Sequence, residues 1–231
     1  MSFTRGILMK VPSDWRRSVS IEQNRSSQTG LLLVDPYNDF LSPGGKLYPL
    51  AKEVAESVDL LAHLREIVSA ARQAAIPIFF VPHHRWEPGD YTTWKYPTRT
   101  QLAGGQREMF AKGSWGGEFH PDFPVQKGDI VIKEHWGQSG FANTDLDQQL
   151  KQHGIQRLVL IGMLANTCIE STGRFGMELG YHVTLVKDAT AAFSREAMHA
   201  AHEINGPTFA HAILTTSDIV PLFLSLEESE H

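Results

Sequence analysis

Six short, nearly unbroken apolar runs are spaced along the chain, and stretches of helical periodicity lie between them. The runs are Leu31-Leu32-Leu33-Val34, Ile78-Phe79-Phe80-Val81, Ile130-Val131-Ile132, Leu158-Val159-Leu160-Ile161, Val183-Thr184-Leu185-Val186 and Ala212-Ile213-Leu214. A strand with one wet face alternates apolar and polar residues, so a run without alternation reads as a strand covered on both faces. Between the first two runs, Val54, Val58, Leu61, Leu64, Ile67 and Val68 recur at spacings of three and four. That spacing predicts one amphipathic helix over 52–74, stopped before Pro77. Further helices are predicted over 144–153 (capped by Asn143 or Thr144), 168–179 (opened by Cys168, closed by Gly180), 194–204 and 217–226. Alternating strands and helices predict an α/β protein in three layers, a doubly wound, six-stranded, mostly parallel sheet with helices on both faces. Residues 1–29 are polar and lack periodicity, so an irregular arm is expected ahead of a single domain over 30–231, with a frayed charged tail at 227–231.

Charge and cysteine usage narrow the function classes. With 21 Lys and Arg against 26 Asp and Glu, the chain has no basic excess with which to neutralise phosphates, and no nucleic-acid partner is expected. Its one cysteine cannot form an internal disulfide. No apolar run reaches the length of a membrane span, and Gly6-Ile7-Leu8-Met9 is too short for a signal peptide. A cytoplasmic protein with no membrane partner is expected.

In open α/β sheets, ligands bind beyond the carboxyl ends of the strands. Asp35 follows the first run, His83 and His84 the second, Lys133 the third, and Cys168 comes a short loop after the fourth. A carboxylate, an ammonium and a thiol thus gather at one edge. A helix N-terminus and a nearby Lys133 favour thiolate over thiol, Asp35 can take the thiol proton, and the Cys168 N–H with one from the preceding loop can hold an oxyanion. Taken singly, each residue has an ordinary reading: a small buried side chain, a turn before Pro36, a solvated strand end. The segment 82–128, rich in Gly, Pro, Trp and His, is long for a connection and is expected to shape the substrate site.

Several segments resemble the isochorismatase-like cysteine hydrolases, a family that includes nicotinamidases, over about residues 30–225. Leu33-Val34-Asp35-Pro36-Tyr37-Asn38-Asp39-Phe40 is similar to the family's D-x-Q-N-D-F motif, with Tyr37 in place of Gln. Lys112-Gly113-Ser114-Trp115-Gly116, Ile132-Lys133 with Ser139-Gly140-Phe141-Ala142-Asn143-Thr144-Asp145-Leu146, Gly162-Met163-Leu164-Ala165-Asn166-Thr167-Cys168, and Gly180-Tyr181-His182-Val183 with Asp188-Ala189 follow in the family's order. The resemblance implies a catalytic triad of Asp35, Lys133 and Cys168, a cis peptide at Met163–Leu164, and an oxyanion hole from the Leu164 and Cys168 N–H groups. Phe40, His84, Trp115 and Phe141 are expected to bind substrate. Nicotinamidases carry a D-x-H metal motif after the second strand. Pro82-His83-His84-Arg85-Trp86 lacks the Asp, so no metal and no cofactor is expected. Retention of the cysteine favours acyl chemistry on a small amide or ureide through a thioester. The alternatives are non-covalent vinyl ether hydrolysis with Asp35 as acid, and a catalytically silent binding protein. A homo-oligomer, dimer or tetramer, is expected.

Overall fold

The computed structural model describes residues 28–227, so all but the inner ends of the expected N-terminal arm and C-terminal tail lie outside the described residues. The strands are β1 (Thr29–Val34), β2 (Ile78–Val81), β3 (Ile130–Val131), β4 (Arg157–Met163), β5 (His182–Ala191) and β6 (Ala212–Leu214). They form one sheet in the order β3-β2-β1-β4-β5-β6, and every pairing is parallel. The helices are α1 (Asn38–Leu41), α2 (Tyr48–Ser57), α3 (Leu60–Gln73), α4 (Arg99–Gln106), α5 (Leu146–Gln152), α6 (Glu170–Glu178), α7 (Arg195–His199) and α8 (Thr216–Glu227).

The central strand shows why the runs do not alternate. Leu31 and Leu33 of β1 enter one core with Leu64 and Ile67 of α3 and Phe223 of α8. Leu32 and Val34 enter the opposite core with Leu146 and Leu150 of α5. Both faces are dry, and each fully buried side chain of this size contributes about 1.5–3 kcal/mol.

Local structure departs from simple periodicity in three places. The helix expected over 52–74 is two, because Asp59 sits in the left-handed region (φ 48°) between α2 and α3. Aspartate tolerates that conformation better than most residues. Cys168 does not open an α-helix. It lies in a π turn, Ala165–Ile169, in which the Ile169 N–H reaches five residues back to the Leu164 carbonyl (3.1 Å), and α6 begins only at Glu170. A second π turn, Ala200–Asn205, continues α7. At the end of β4, Gly162 has φ 113°, and a Cβ there would sit on the Val34 carbonyl oxygen. Only glycine lets β4 lie this close to the end of β1.

The second π turn carries a buried histidine. The His202 Nε2 lies 2.8 Å from the Thr190 hydroxyl, whose own hydrogen goes to the Lys187 carbonyl, and Nδ1 is buried with no partner among the described residues. Burial pulls the His202 pKa from 6.5 down to about 4. Between these values the unfolded chain binds a proton that the native state refuses, so stability falls as pH drops from 6.5 towards 4. The loss should reach about 3 kcal/mol from this residue. Urea titrations across that range should show the slope in the wild type and a shallower one in His202→Gln.

Candidate active site

The strand order reverses at β1. The chain builds outward to β2 and β3, then returns to start β4 on the other side of β1. The crevice between the carboxyl ends of β1 and β4 is therefore the expected ligand position. Asp35 leaves β1 with φ 51°, a strained value for a residue with a side chain, and is fully buried. Cys168 comes from the π turn after β4, and the Met163–Leu164 peptide before that turn is cis. The Leu164 carbonyl accepts from the Thr167 and Ile169 N–H groups, passing over the Cys168 N–H between them.

Lys133 does not join Asp35 and Cys168. That side chain is exposed and points into a separate recess with Arg85 and Glu118, while its backbone N–H donates to Asp145. His135 lies beside them instead. The Asp35 carboxylate, a ring nitrogen of His135 and Cys168 Sγ lie within 4.8 Å of one another, all buried. The cause is a register slip. Ile130 pairs with Phe79 and Val131 with Phe80, but His135 bridges to His83, which needs one extra residue on the outer strand. Alternation already leaves Lys133 on the exposed face it shares with Val131, and the slip brings His135 into the crevice.

Hydrogen bonding fixes the state of His135. Nδ1 lies 2.9 Å from the Gly137 carbonyl, which can only accept, so Nδ1 carries a hydrogen. Nε2 lies 3.1 Å from Asp35 Oδ1. A hydrogen on Nε2 as well would make the ring a cation, the form that a facing carboxylate favours. Burial opposes that charge, but Asp35, the Gly137 carbonyl and Glu134 outweigh it and raise the pKa. For Cys168, burial comes first, then the Asp35 charge and the thiol's contact with it, and these push the thiol well above its usual range. The Thr167 hydroxyl and the Leu164 N–H pull the other way. The resting group is thus a thiol facing a carboxylate, rather than the thiolate that a helix N-terminus was expected to stabilise.

A cavity of about 760 Å³ opens above this trio. Phe40, Leu164 and Cys168 line it, as expected. His84 does not. Its Nε2 lies 2.7 Å from Asp90 and its Nδ1 3.2 Å from Glu134, and it stacks on Trp136 with ring centroids 3.5 Å apart. It is the neighbouring His83 that faces the cavity, and the buttressed Trp136 forms a wall. The His83 Nδ1–H is held by the His84 carbonyl (2.8 Å), and burial beside His135 lowers its pKa to about 4, so the ring is neutral. Trp115 is 54% exposed and away from the cavity, where its carbonyl accepts from Asn38. Phe141 is buried on the other face of the sheet, between Phe175 and Tyr181. Asn38 and Asp39 of the first motif tie down the long segment instead of touching the cavity. Asp39 accepts from the Phe110 N–H (2.7 Å) and sets Phe110 under Phe40.

The isochorismatase domain pattern matches residues 29–217. The chain belongs to the isochorismatase family. Among isochorismatase-family relatives, the ureidoacrylate amidohydrolase RutB of Variovorax paradoxus is 30% identical over 212 residues, 86% of this chain and 82% of that protein. RutB of Pantoea ananatis is 32% identical over 195 residues, 79% and 76% of the two chains. N-carbamoylsarcosine amidase from Thermoplasma acidophilum superposes with a TM-score of 0.61 at 25% identity, covering 82% of this chain and 96% of that one. A cysteine hydrolase from Pseudomonas syringae pv. phaseolicola has the same fold, with a TM-score of 0.73 at 22% identity over 87% and 94% of the chains. Among the described residues no helix is long and apolar enough to cross a membrane.

Proposed function

We propose that this protein is a cysteine-dependent amidohydrolase that cleaves a small ureide or amide through a covalent enzyme, with Asp35 as proton carrier and His135 as the fixed cation. Family membership and the amidohydrolase relatives make it a hydrolase of carbon–nitrogen bonds other than peptide bonds. The observation that carries the mechanism is the meeting of carboxylate, imidazole and thiol within 4.8 Å, with Asp35 and Cys168 lining the cavity.

The resting thiol needs its proton removed only when substrate arrives. As Sγ attacks the carbonyl, its proton passes to Asp35, and His135 balances the charge left beside it. The Leu164 and Cys168 N–H groups hold the oxyanion. Asp35 returns the proton to the departing nitrogen as the C–N bond breaks, leaving a thioester, which is a carbamoyl thioester for a ureide. Water then attacks with Asp35 as base, the acid leaves, and the proton returns to Sγ. Phe40 and Trp136 supply flat apolar walls. Arg99 and Arg107 also line the cavity without ion-pair partners among the described residues, which suits a substrate with a carboxylate away from the scissile bond, as ureidoacrylate has.

Ammonia release across a panel of neutral and carboxylated ureides and amides tests this. Carboxylated ureides should turn over best, and Arg99→Ala with Arg107→Ala should raise KM for them while sparing neutral substrates. Intact-mass spectra of quenched reactions should show one acyl adduct on Cys168. Turnover with no adduct, in a protein whose activity also ignores loss of Cys168, would sink the covalent scheme.

A further inference from the structure

We propose that Asp35, His135 and Cys168 form a site for one borderline-soft divalent cation, Zn²⁺ above others, and that the bound ion shuts off hydrolysis. The inhibitory half rests on the reading of Cys168 as nucleophile. The binding half rests on geometry alone.

Four features build the site. Thiolate, imidazole and carboxylate together are a ligand set that Zn²⁺ accepts. Their spacing fits: the His135 Nε2 and Asp35 Oδ1 are 3.1 Å apart, close to the edge of about 3.3 Å that follows for a tetrahedron with bonds of about 2.0–2.1 Å. The imidazole is already oriented by its far nitrogen, the His135 Nδ1–H on the Gly137 carbonyl (2.9 Å). Backbone carbonyls in that position are what hold metal-binding histidines in place elsewhere. His135 therefore presents Nε2 to Asp35 and Cys168. Finally, Asp35 Oδ2 is fully buried with no hydrogen-bond partner among the described residues. An orphaned carboxylate oxygen of this kind calls for a ligand or cation.

An imidazole rather than an ammonium in this seat makes the difference. An ammonium in this seat would repel a cation and has no lone pair to offer. An imidazolium that gives up Nε2–H becomes a ligand. On binding, the Sγ–H and Nε2–H protons leave to solvent, bonds form from the metal to sulfur, nitrogen and oxygen, and the sulfur lone pair is no longer free to attack a carbonyl.

Co²⁺ is the probe, because thiolate ligation gives a near-ultraviolet charge-transfer band and Cys168 is the chain's single cysteine. Wild-type protein should bind one equivalent with that band, Zn²⁺ should displace Co²⁺, and the same Zn²⁺ titration should stop ammonia release until EDTA restores it. Cys168→Ser should lose the band. His135→Lys, and His135→Gln should the lysine variant fail to fold by circular dichroism, should weaken Co²⁺ binding at least about 100-fold, beyond what loss of an outer-shell partner costs. No band in a wild type whose Cys168 still reacts with iodoacetamide would overturn the site, as would a band that survives either His135 change. Zn²⁺ that binds without slowing turnover would overturn the inhibition. A wild type that shows the band yet releases no ammonia from any amide would uphold the site and sink the amidase reading instead.

Discussion

Replacing Cys168 by alanine is expected to lower kcat for amide hydrolysis by about four orders of magnitude or more, the scale seen when a covalent nucleophile is removed. Nothing else in the crevice can replace it. Among the lining groups beside Asp35, Thr167 offers only a neutral hydroxyl, which already leans on Cys168 Sγ at 3.9 Å. Loss of fold cannot mimic the result. Cys168 is small and buried beside Ile169, and trimming one sulfur from such a site costs about 1 kcal/mol. Single-turnover ammonia release, with a urea melt on the same sample, separates the two effects. The outcome also divides the rival chemistries. Vinyl ether hydrolysis needs only Asp35 as acid and should ignore the substitution, whereas a silent binding protein would release no ammonia even as wild type.

The sheet was legible because burial on both faces leaves a one-dimensional mark. Leu31 to Val34 read as a strand from composition alone, and the crevice followed from strand order. Asp35 and Cys168 were legible for the same reason, since each sits a short, fixed step from the end of a strand that is regular up to that point. The expected site residues that lie elsewhere share a different cause. Lys133 follows the third run and fits the family's lysine segment, but it shares the exposed face of Val131, and the slip before His135 brings that ring inward instead. One signal was present: Lys133 stands eight residues before Phe141, while His135 is the nearer polar residue with a group able to carry charge. His83 and His84, adjacent on a loop, point opposite ways, and sequence does not say which one faces the cavity. Trp115 and Phe141 were read as cavity walls on residue type. Their places were set by hydrogen bonds and packing across 77 residues and across the sheet respectively, which no local pattern encodes.

Lys133→Ala and His135→Ala should therefore behave oppositely. Lys133 is exposed and contributes its backbone, which alanine keeps, so its removal should change kcat and KM by no more than about twofold, and stability by less than about 0.5 kcal/mol. His135 is fully buried against Asp35. Without it the carboxylate has no cation beside it when it takes the thiol proton and returns it, and kcat should fall by about 10² to 10⁴, the range for a positioned acid–base or charge-stabilising group. The same change strands a buried charge, so unfolding by urea should come about 3–5 kcal/mol more easily. His135→Lys distinguishes charge from shape. If charge is what matters, the lysine variant should regain part of the lost kcat, limited by fitting a longer, tetrahedral donor into a seat shaped for a flat ring held by the Gly137 carbonyl. If Lys133→Ala were instead inactive while His135→Ala kept its turnover, the cation would have to be assigned back to Lys133, and the slip between Val131 and His135 would have to open when substrate enters.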